Sequence, residues 1–256
     1  MKKELLNLCY LALKAGELYP PKIFGATVLK SFRDQKDAFF AIETDDCFYV
    51  VFQGSKTTKS WVRNLKFLKT PIENDDNNNN NNNNSNSNSN INNNNNRRIH
   101  SGFYNSWKKM KPMINSLLPY FVDSVLPYFV DSKKPIYCIG HSAGGVMALL
   151  SWRFLKKYCV FSNVKCIDFG CPDFGNRAMV EEIESLKNDS NSITQVVNGY
   201  DLVPRLLDNK LGYEELITAR IGLQQPYWHK FFRKIFDHDL ENYYSAIEDQ
   251  IPDKKV

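Results

Sequence analysis

Two hydrophobic periods alternate along this chain. Near the start, Leu5, Leu8, Cys9, Leu11 and Ala12 recur at helical spacing and predict an amphipathic surface helix. Phe39-Phe40-Ala41-Ile42 and Phe48-Tyr49-Val50-Val51-Phe52 are apolar runs on either side of Asp45-Asp46, which predicts two strands joined by a turn. Phe103, Trp107, Met110 and Ile114 lie four, three and four apart, predicting a helix over 103–117. Beyond residue 135, short apolar runs at 136–139, 164–169 and 193–197 alternate with helical patterns at 143–157 and 177–187. Strands alternating with helices predict a mostly parallel sheet with helices on both faces, an α/β class.

Two stretches interrupt this pattern. From residue 74 to 96 the chain is almost entirely Asn and Ser, with Ile91 its one apolar residue, and is expected to be a disordered insert. Without it about 230 residues remain, which suits a single domain over 1–256 interrupted by the tract. The segment Leu118-Pro-Tyr-Phe-Val-Asp-Ser124 recurs as Leu126 to Ser132. Two short copies are too few for a solenoid, so this is a local duplication.

Charge and cysteines narrow the classes. A net charge of +5, with Lys pairs scattered along the chain, fits solvated faces and gives no nucleic-acid footprint. Pro135 to Trp152 holds no Asp, Glu, Lys or Arg over 18 positions, a membrane-spanning length, until Arg153. It carries Gly140, Ser142, Gly144 and Gly145 at its centre, so it is expected to be a buried strand, a turn and a helix, with no stable membrane span. Met1-Lys2-Lys3 resembles the start of an export signal, but Glu4, Asn7 and Lys14 break the run that should be apolar. The six cysteines show no C-x-x-C pair and mostly sit among apolar residues, which predicts buried free thiols. A reducing compartment follows, and with it a cytoplasmic location, peripheral on lipid surfaces at most. No His/Cys/Asp grouping has metal-ligand spacing and no Gly-rich loop suits a nucleotide phosphate, so neither metal nor cofactor is expected.

The chemistry concentrates at Gly140-His141-Ser142-Ala143-Gly144, a G-x-S-x-G pentapeptide between a strand-like run and a helical one. On a tight strand-to-helix turn the serine is strained and exposed, and the small residues two positions either side let the chain pass. The amide of Ala143, at the helix N-terminus, suits a developing oxyanion. A serine nucleophile needs a base and an orienting acid. Of four histidines, His141 adjoins the serine with its ring directed away and is assigned a structural role. His238, opening a helical pattern, ranks ahead of His229 as the base. Asp201, in a loop after the run at 193–197, ranks first as the acid, ahead of Asp173, which sits in a turn, and Asp208.

Several stretches, taken in order, resemble the class 3 lipases, the fungal and plant triacylglycerol lipase type. Tyr49-Val-Val-Phe-Gln-Gly-Ser-Lys56 with Ser60-Trp-Val-Arg-Asn-Leu65 is similar to that family's strand, oxyanion loop and lid, and Ile99-His-Ser-Gly-Phe103 to its V-H-x-G-F strand. Ile139 to Gly145 resembles its nucleophile elbow, and Phe169-Gly-Cys-Pro-Asp-Phe-Gly-Asn176 its F-G-x-P-x-x-G-N turn. Val197 to Leu206 resembles its acid loop, and Asp237 to Tyr243 its histidine segment. The resemblance implies an α/β-hydrolase fold, with Ser142 as nucleophile, Asp201 as acid, His238 as base, and Ser55 with Ala143 as oxyanion-hole donors. It departs at Gln53, where the family usually has Arg, at Asn64, where it has Asp, at Ala143, where Leu is commoner, and at Asp173, where Arg is usual.

The same resemblance makes Lys56 to Leu68 a lid, with Trp61, Leu65 and Leu68 on one apolar stripe edged by Lys59, Arg63 and Lys66, suited to a lipid surface. The expected activity is hydrolysis of a lipid ester of the acylglycerol type at an interface, through an acyl-enzyme. The alternatives are a phospholipase, galactolipase or small-ester esterase on the same scaffold, and a silent lipid-binding relative.

Overall fold

A computed structural model describes residues 2–15, 26–35, 37–54, 68–72, 96–122, 134–159, 161–189, 192–199, 201–207, 211–216, 219–223 and 238–250. Several sequence expectations fall outside these residues. They are Ser55, Trp61, Asn64 and Leu65 of the oxyanion and lid segment, the tract at 73–95, the second repeat copy, Asp208 and His229.

The chain opens with helix α1 (Lys2–Lys14). Three antiparallel strands follow, β1 (Thr27–Arg33), β2 (Ala38–Glu43) and β3 (Phe48–Phe52). A two-stranded ribbon, β4 (Lys69–Pro71) with β5 (Arg98–His100), leads into helix α2 (Ser101–Asn115) and one helical turn at Leu118–Phe121. Then come β6 (Ile136–His141), α3 (Ala143–Lys157), β7 (Val164–Phe169), α4 (Arg177–Ser185), β8 (Ile193–Asn198), β9 (Ala219–Leu223) and α5 (Leu240–Glu248). The main sheet has the order β1-β2-β3-β6-β7-β8-β9 and is parallel from β3 to β9. This is the mostly parallel, helix-covered sheet of an α/β-hydrolase fold, as the sequence pattern predicts.

Successive residues of a strand point to opposite faces, so a sheet buried on both sides sorts its residues by parity. Phe48, Val50, Phe52, Cys138 and Cys166 pack on one face with Trp107, Met110 and Ile114 of α2 and Leu149 and Trp152 of α3. Ile42, Val51, Ile139 and Phe169 pack on the other, with Leu5, Leu8 and Leu11 of α1 and Tyr243 and Ile247 of α5. The uncharged stretch 135–152 is therefore β6, a turn and α3, and among the described residues no helix is long and apolar enough to cross a membrane.

The strands without an apolar run are the half-exposed ones. In β1, exposed Ser31 and Arg33 alternate with partly buried Lys30 and Phe32 at the sheet edge. In β9, Arg220 interrupts the pattern. Helix α2 begins two residues earlier than its apolar spacing suggests, because His100 caps it by accepting from Gly102 N at 3.1 Å. Asn96 is held by Asn176 Nδ2, which donates to its carbonyl at 2.6 Å, and the neighbouring Arg97 is paired with Glu182.

Candidate active site

Three consecutive parallel strands deliver their C-terminal ends to one place. After β6 comes Ser142, after β7 Gly170, and after β8 Asp201. Ser142 has φ 56° and ψ −125° and is the one non-glycine residue with positive φ among those described. Such a conformation costs on the order of 1–3 kcal/mol and persists only where surroundings enforce it. The enforcement is visible in the neighbouring glycines. A Cβ on Gly140 would lie 2.1 Å from the Gly144 carbonyl oxygen, and a Cβ on Gly144 would lie 2.6 Å from the carbonyl oxygens of Phe52 and Gln53. Both ends of the G-x-S-x-G turn thus press backbone against backbone. Ser142 N donates to the Phe169 carbonyl at 2.9 Å, and the serine side chain makes no capping bond to α3. Ala143 is the first residue of that helix, so its N–H has no acceptor one turn back within it.

Asp201 and His238 meet directly: His238 Nδ1 donates to Asp201 Oδ2 at 2.7 Å, and both side chains are fully buried. The carboxylate is fixed further by Val203 N, which donates to Oδ1 at 2.8 Å, and by Tyr243 Oη, which donates to Oδ2 at 2.5 Å. Burial and the adjacent Asp201 charge push the Tyr243 phenol well above its ordinary range, so it stays a donor. His238 Nε2, facing away from the acid, is buried and has no hydrogen-bond partner among the described residues. A buried ring nitrogen left this way costs about 1–3 kcal/mol, which a core histidine without a task would avoid.

His141 performs the structural role assigned to it. Its Nε2 donates to the His238 carbonyl oxygen at 2.7 Å, and its ring lies 4.6 Å from the His238 ring at 33°. Burial, then the neighbouring His238, hold its pKa well below the ordinary histidine value, so it remains a neutral donor. The residue next to the serine thereby ties the histidine's backbone to the elbow. Gly54, the residue before Ser55, also abuts the elbow: a Cβ there would be 2.8 Å from both His141 Nδ1 and its carbonyl oxygen.

The structure thus brings Asp201 and His238 together and puts Ser142 at the end of β6, two strands from β8, whose loop carries Asp201. Asp173 lies in the turn after β7, and it is Asp201 that bonds the histidine. Leu68, the described end of the segment expected to form a lid, is 65% exposed, and its carbonyl accepts from Ser101 N at 2.9 Å. Sequence reasoning missed Tyr243 and Gly170. Gly170 has φ 63°, and a Cβ on it would lie 2.6 Å from Tyr243 Oη and 2.7 Å from Asp201 Oδ2. Both residues belong to recognisable segments, but nothing local signals their contact with Asp201.

Residues 49–210 match the model of the lipase (class 3) family, more than half of the sequence, and the chain belongs to that family. Among curated relatives, a secreted mono- and diacylglycerol lipase of Malassezia restricta is 26% identical over 129 residues, covering 50% of this chain and 40% of that protein. A secreted mono- and diacylglycerol lipase of Gibberella zeae is 31% identical over 123 residues, covering 45% of this chain and 29% of that protein. The chain thus spans well under half the length of either relative. Among solved structures, Rhizomucor miehei triacylglyceride lipase aligns with TM-score 0.62 at 18% identity, covering 88% of this chain and 82% of that one. A lipase from Rhizopus microsporus var. chinensis aligns with TM-score 0.61 at 21% identity, over 83% of this chain and 71% of that one. These structures share the fold.

The relatives correct one expectation. Both are named as secreted proteins, which points to an extracellular location and overturns the cytoplasmic one. The error lay in treating free thiols as a record of the compartment. All six cysteines are indeed free, and five are buried. Burial pushes the thiols of Cys9, Cys138, Cys166 and Cys171 far up and keeps them protonated. An inaccessible, protonated thiol reacts little in either redox environment.

Proposed function

We propose that this protein hydrolyses carboxylic esters of lipids, of the acylglycerol type, with Ser142 as nucleophile, His238 as general base and Asp201 as the orienting acid. The observation that carries this reading is the buried Asp201–His238 hydrogen bond, with His238 Nε2 left without a partner among the described residues. His238 Nε2 takes the proton from Ser142 Oγ as the oxygen attacks the ester carbonyl carbon. The tetrahedral oxyanion is received by the Ala143 amide and by Ser55, whose neighbour Gly54 abuts the elbow. His238 then gives its proton to the leaving alcohol as the carbon–oxygen bond breaks, forming the acyl-enzyme. Deacylation repeats the sequence with water, which His238 deprotonates.

Support for this substrate class comes from the relatives, which are named as mono- and diacylglycerol lipases. The residues assigned to meet the lipid surface are Trp61, Leu65 and Leu68, by their spacing in the sequence, and the location that accompanies this reading is extracellular. The test is labelling with a fluorophosphonate, which modifies only activated serines, with the adduct located by mass spectrometry. Ser142 takes the label in the wild type, Ser142→Ala takes none, and His238→Ala labels far more slowly. Folded wild-type protein that hydrolyses no monoacylglycerol and takes no label, with or without detergent, would overturn the assignment.

A further inference from the structure

Asp168 has no place in the chemistry above, yet it is a carboxyl group buried in the middle of the sheet. It stands on β7 directly beside Gly140 of the elbow strand, and on the other side faces Gln195 of β8. Helix α3 packs over it so closely that a Cβ on Gly145 would lie 3.1 Å from the Asp168 Cβ. A carboxyl group in such a place needs a reason, since burying one without compensation is costly.

Its partners supply that reason. Asp168 Oδ1 accepts from Cys171 N at 3.2 Å, while Gln195 Nε2 donates to the Cys171 carbonyl oxygen at 3.1 Å. The Gln195 side chain also hydrogen-bonds the Asp168 carboxyl. The amide is oriented from behind by Arg220, whose Nε and Nη2 donate to Gln195 Oε1 at 3.0 and 2.6 Å, and Arg220 is paired with Glu215 at 2.8 Å. Both polar backbone groups of Cys171 are thus gripped, one by Asp168 and one by Gln195. The residue before Cys171 is Gly170, the left-handed glycine on which a Cβ would lie 2.7 Å from Asp201 Oδ2, 2.6 Å from Tyr243 Oη and 3.1 Å from His238 Cε1.

We propose that Asp168 is a positioning residue for the reaction: with Gln195 it clamps Cys171, and so holds Gly170 as the rigid wall against which the Asp201–His238 pair is set. The clamp acts through Gly170 and touches no reacting atom. It rests on the reading of Ser142, His238 and Asp201 as the catalytic set.

Protonation of Asp168 changes the clamp. The charged or titratable groups facing it are Cys166 on its own strand, Cys171 in the turn, Arg220 on β9 and Tyr243 on α5, while α3 presents Gly145. Both thiols and the phenol are pushed well up by burial and stay neutral. Burial raises Asp168 to about 7, against the bonds from Cys171 and Gln195. Of this set, Asp168 is the group whose charge changes near neutrality.

The experiment compares wild type, Asp168→Asn and Asp168→Ala for hydrolysis of a short-chain 4-nitrophenyl ester and for fluorophosphonate labelling, on both sides of neutral pH. Asn keeps an oxygen that accepts from Cys171 N; Ala does not. Asp168→Ala is expected to lose about tenfold or more in kcat with KM little changed, and Asp168→Asn to restore most of it on the acid side. The ratio of wild-type to Asp168→Asn labelling rates is expected to titrate near neutrality, since His238 is common to both and cancels. Where Asp168→Ala fails to fold, that ratio carries the test alone. A flat ratio, or a folded Asp168→Ala with wild-type kcat, overturns the clamp while Ser142 labelling still stands. Loss of Ser142 labelling in the wild type at every pH overturns the catalytic set and the clamp together.

Discussion

Tyr243 Oη and His238 Nδ1 both donate to the same oxygen of Asp201, at 2.5 and 2.7 Å. The acid is thereby fixed by a group on α5, the helix that begins two residues after the base. A carboxylate oxygen with two strong donors is held in one orientation, and the imidazole that bonds it inherits that orientation.

Tyr243→Phe removes one donor and leaves the ring in place. The loss of a charge-assisted bond costs about 2 kcal/mol of stability. If the looser Asp201 misplaces His238, kcat falls about tenfold while KM stays nearly constant. Thermal melts and steady-state kinetics with a soluble ester check the two effects separately. An unchanged kcat would show that Val203 N and His238 alone suffice to hold the acid.

Gly170→Ala is expected to be far more severe than an ordinary turn substitution. The new methyl meets Asp201 Oδ2 at 2.7 Å and Tyr243 Oη at 2.6 Å, at a φ of 63°. Crowding and backbone strain together cost about 3 kcal/mol or more. Any protein that remains folded, judged by circular dichroism, should label with fluorophosphonate at least about a hundredfold more slowly.

Removing residues 75–95 should leave activity intact. The tract leaves and returns at a closed gate: Ile72 N donates to the Arg97 carbonyl at 3.0 Å, and β4 pairs with β5 immediately beyond. The shortened connection of Glu73, Asn74 and Asn96 still spans that pair. Closing a short loop in place of a long one is worth about 1–2 kcal/mol, so the melting temperature holds or rises. Activity should stay within about threefold, as expected for an insertion at a tolerant loop. A large loss of kcat on emulsified substrate would give the tract a part in substrate access.

Asp168 also makes stability depend on pH. Its folded pKa is raised from 3.8 to about 7, so between these values the native state keeps a proton that the unfolded chain has released. Stability from this group is therefore full below about pH 4 and declines as pH rises to about 7, by on the order of 4 kcal/mol across the window. Asp168→Asn lacks that decline. Denaturant melts of the two proteins should diverge in favour of the variant as pH rises, and parallel curves would contradict the assignment.

The division between what was legible and what was not follows burial. Val50-Val51-Phe52 and Ile136 to Ile139 announce themselves because a strand covered on both faces is apolar nearly throughout, and Val164 to Phe169 keeps enough of that run to register despite Lys165 and Asp168. Strand β1, with Lys30 and Ser31, and β9, with Arg220, keep a wet face and lack that mark. The ribbon β4–β5 is three residues long on each side, too short for any period to register. Location is illegible for a related reason: free thiols carry no trace of the compartment where burial keeps them protonated.

The sequence by itself determined the elbow, because Gly140, Ser142 and Gly144 are neighbours and their steric demands are local. It also nominated Asp201 and His238, through the segments that carry them and their order along the chain. Only the tertiary structure decided that these two bond each other across 37 residues, that Tyr243 shares the same oxygen, and that Asp168 and Gln195 grip the two sides of Cys171. Those contacts arise from strand order, which places β6, β7 and β8 side by side and converges their C-terminal ends. Local backbone preference is written residue by residue, whereas the meeting of distant side chains is fixed by how the buried faces of the sheet and helices pack.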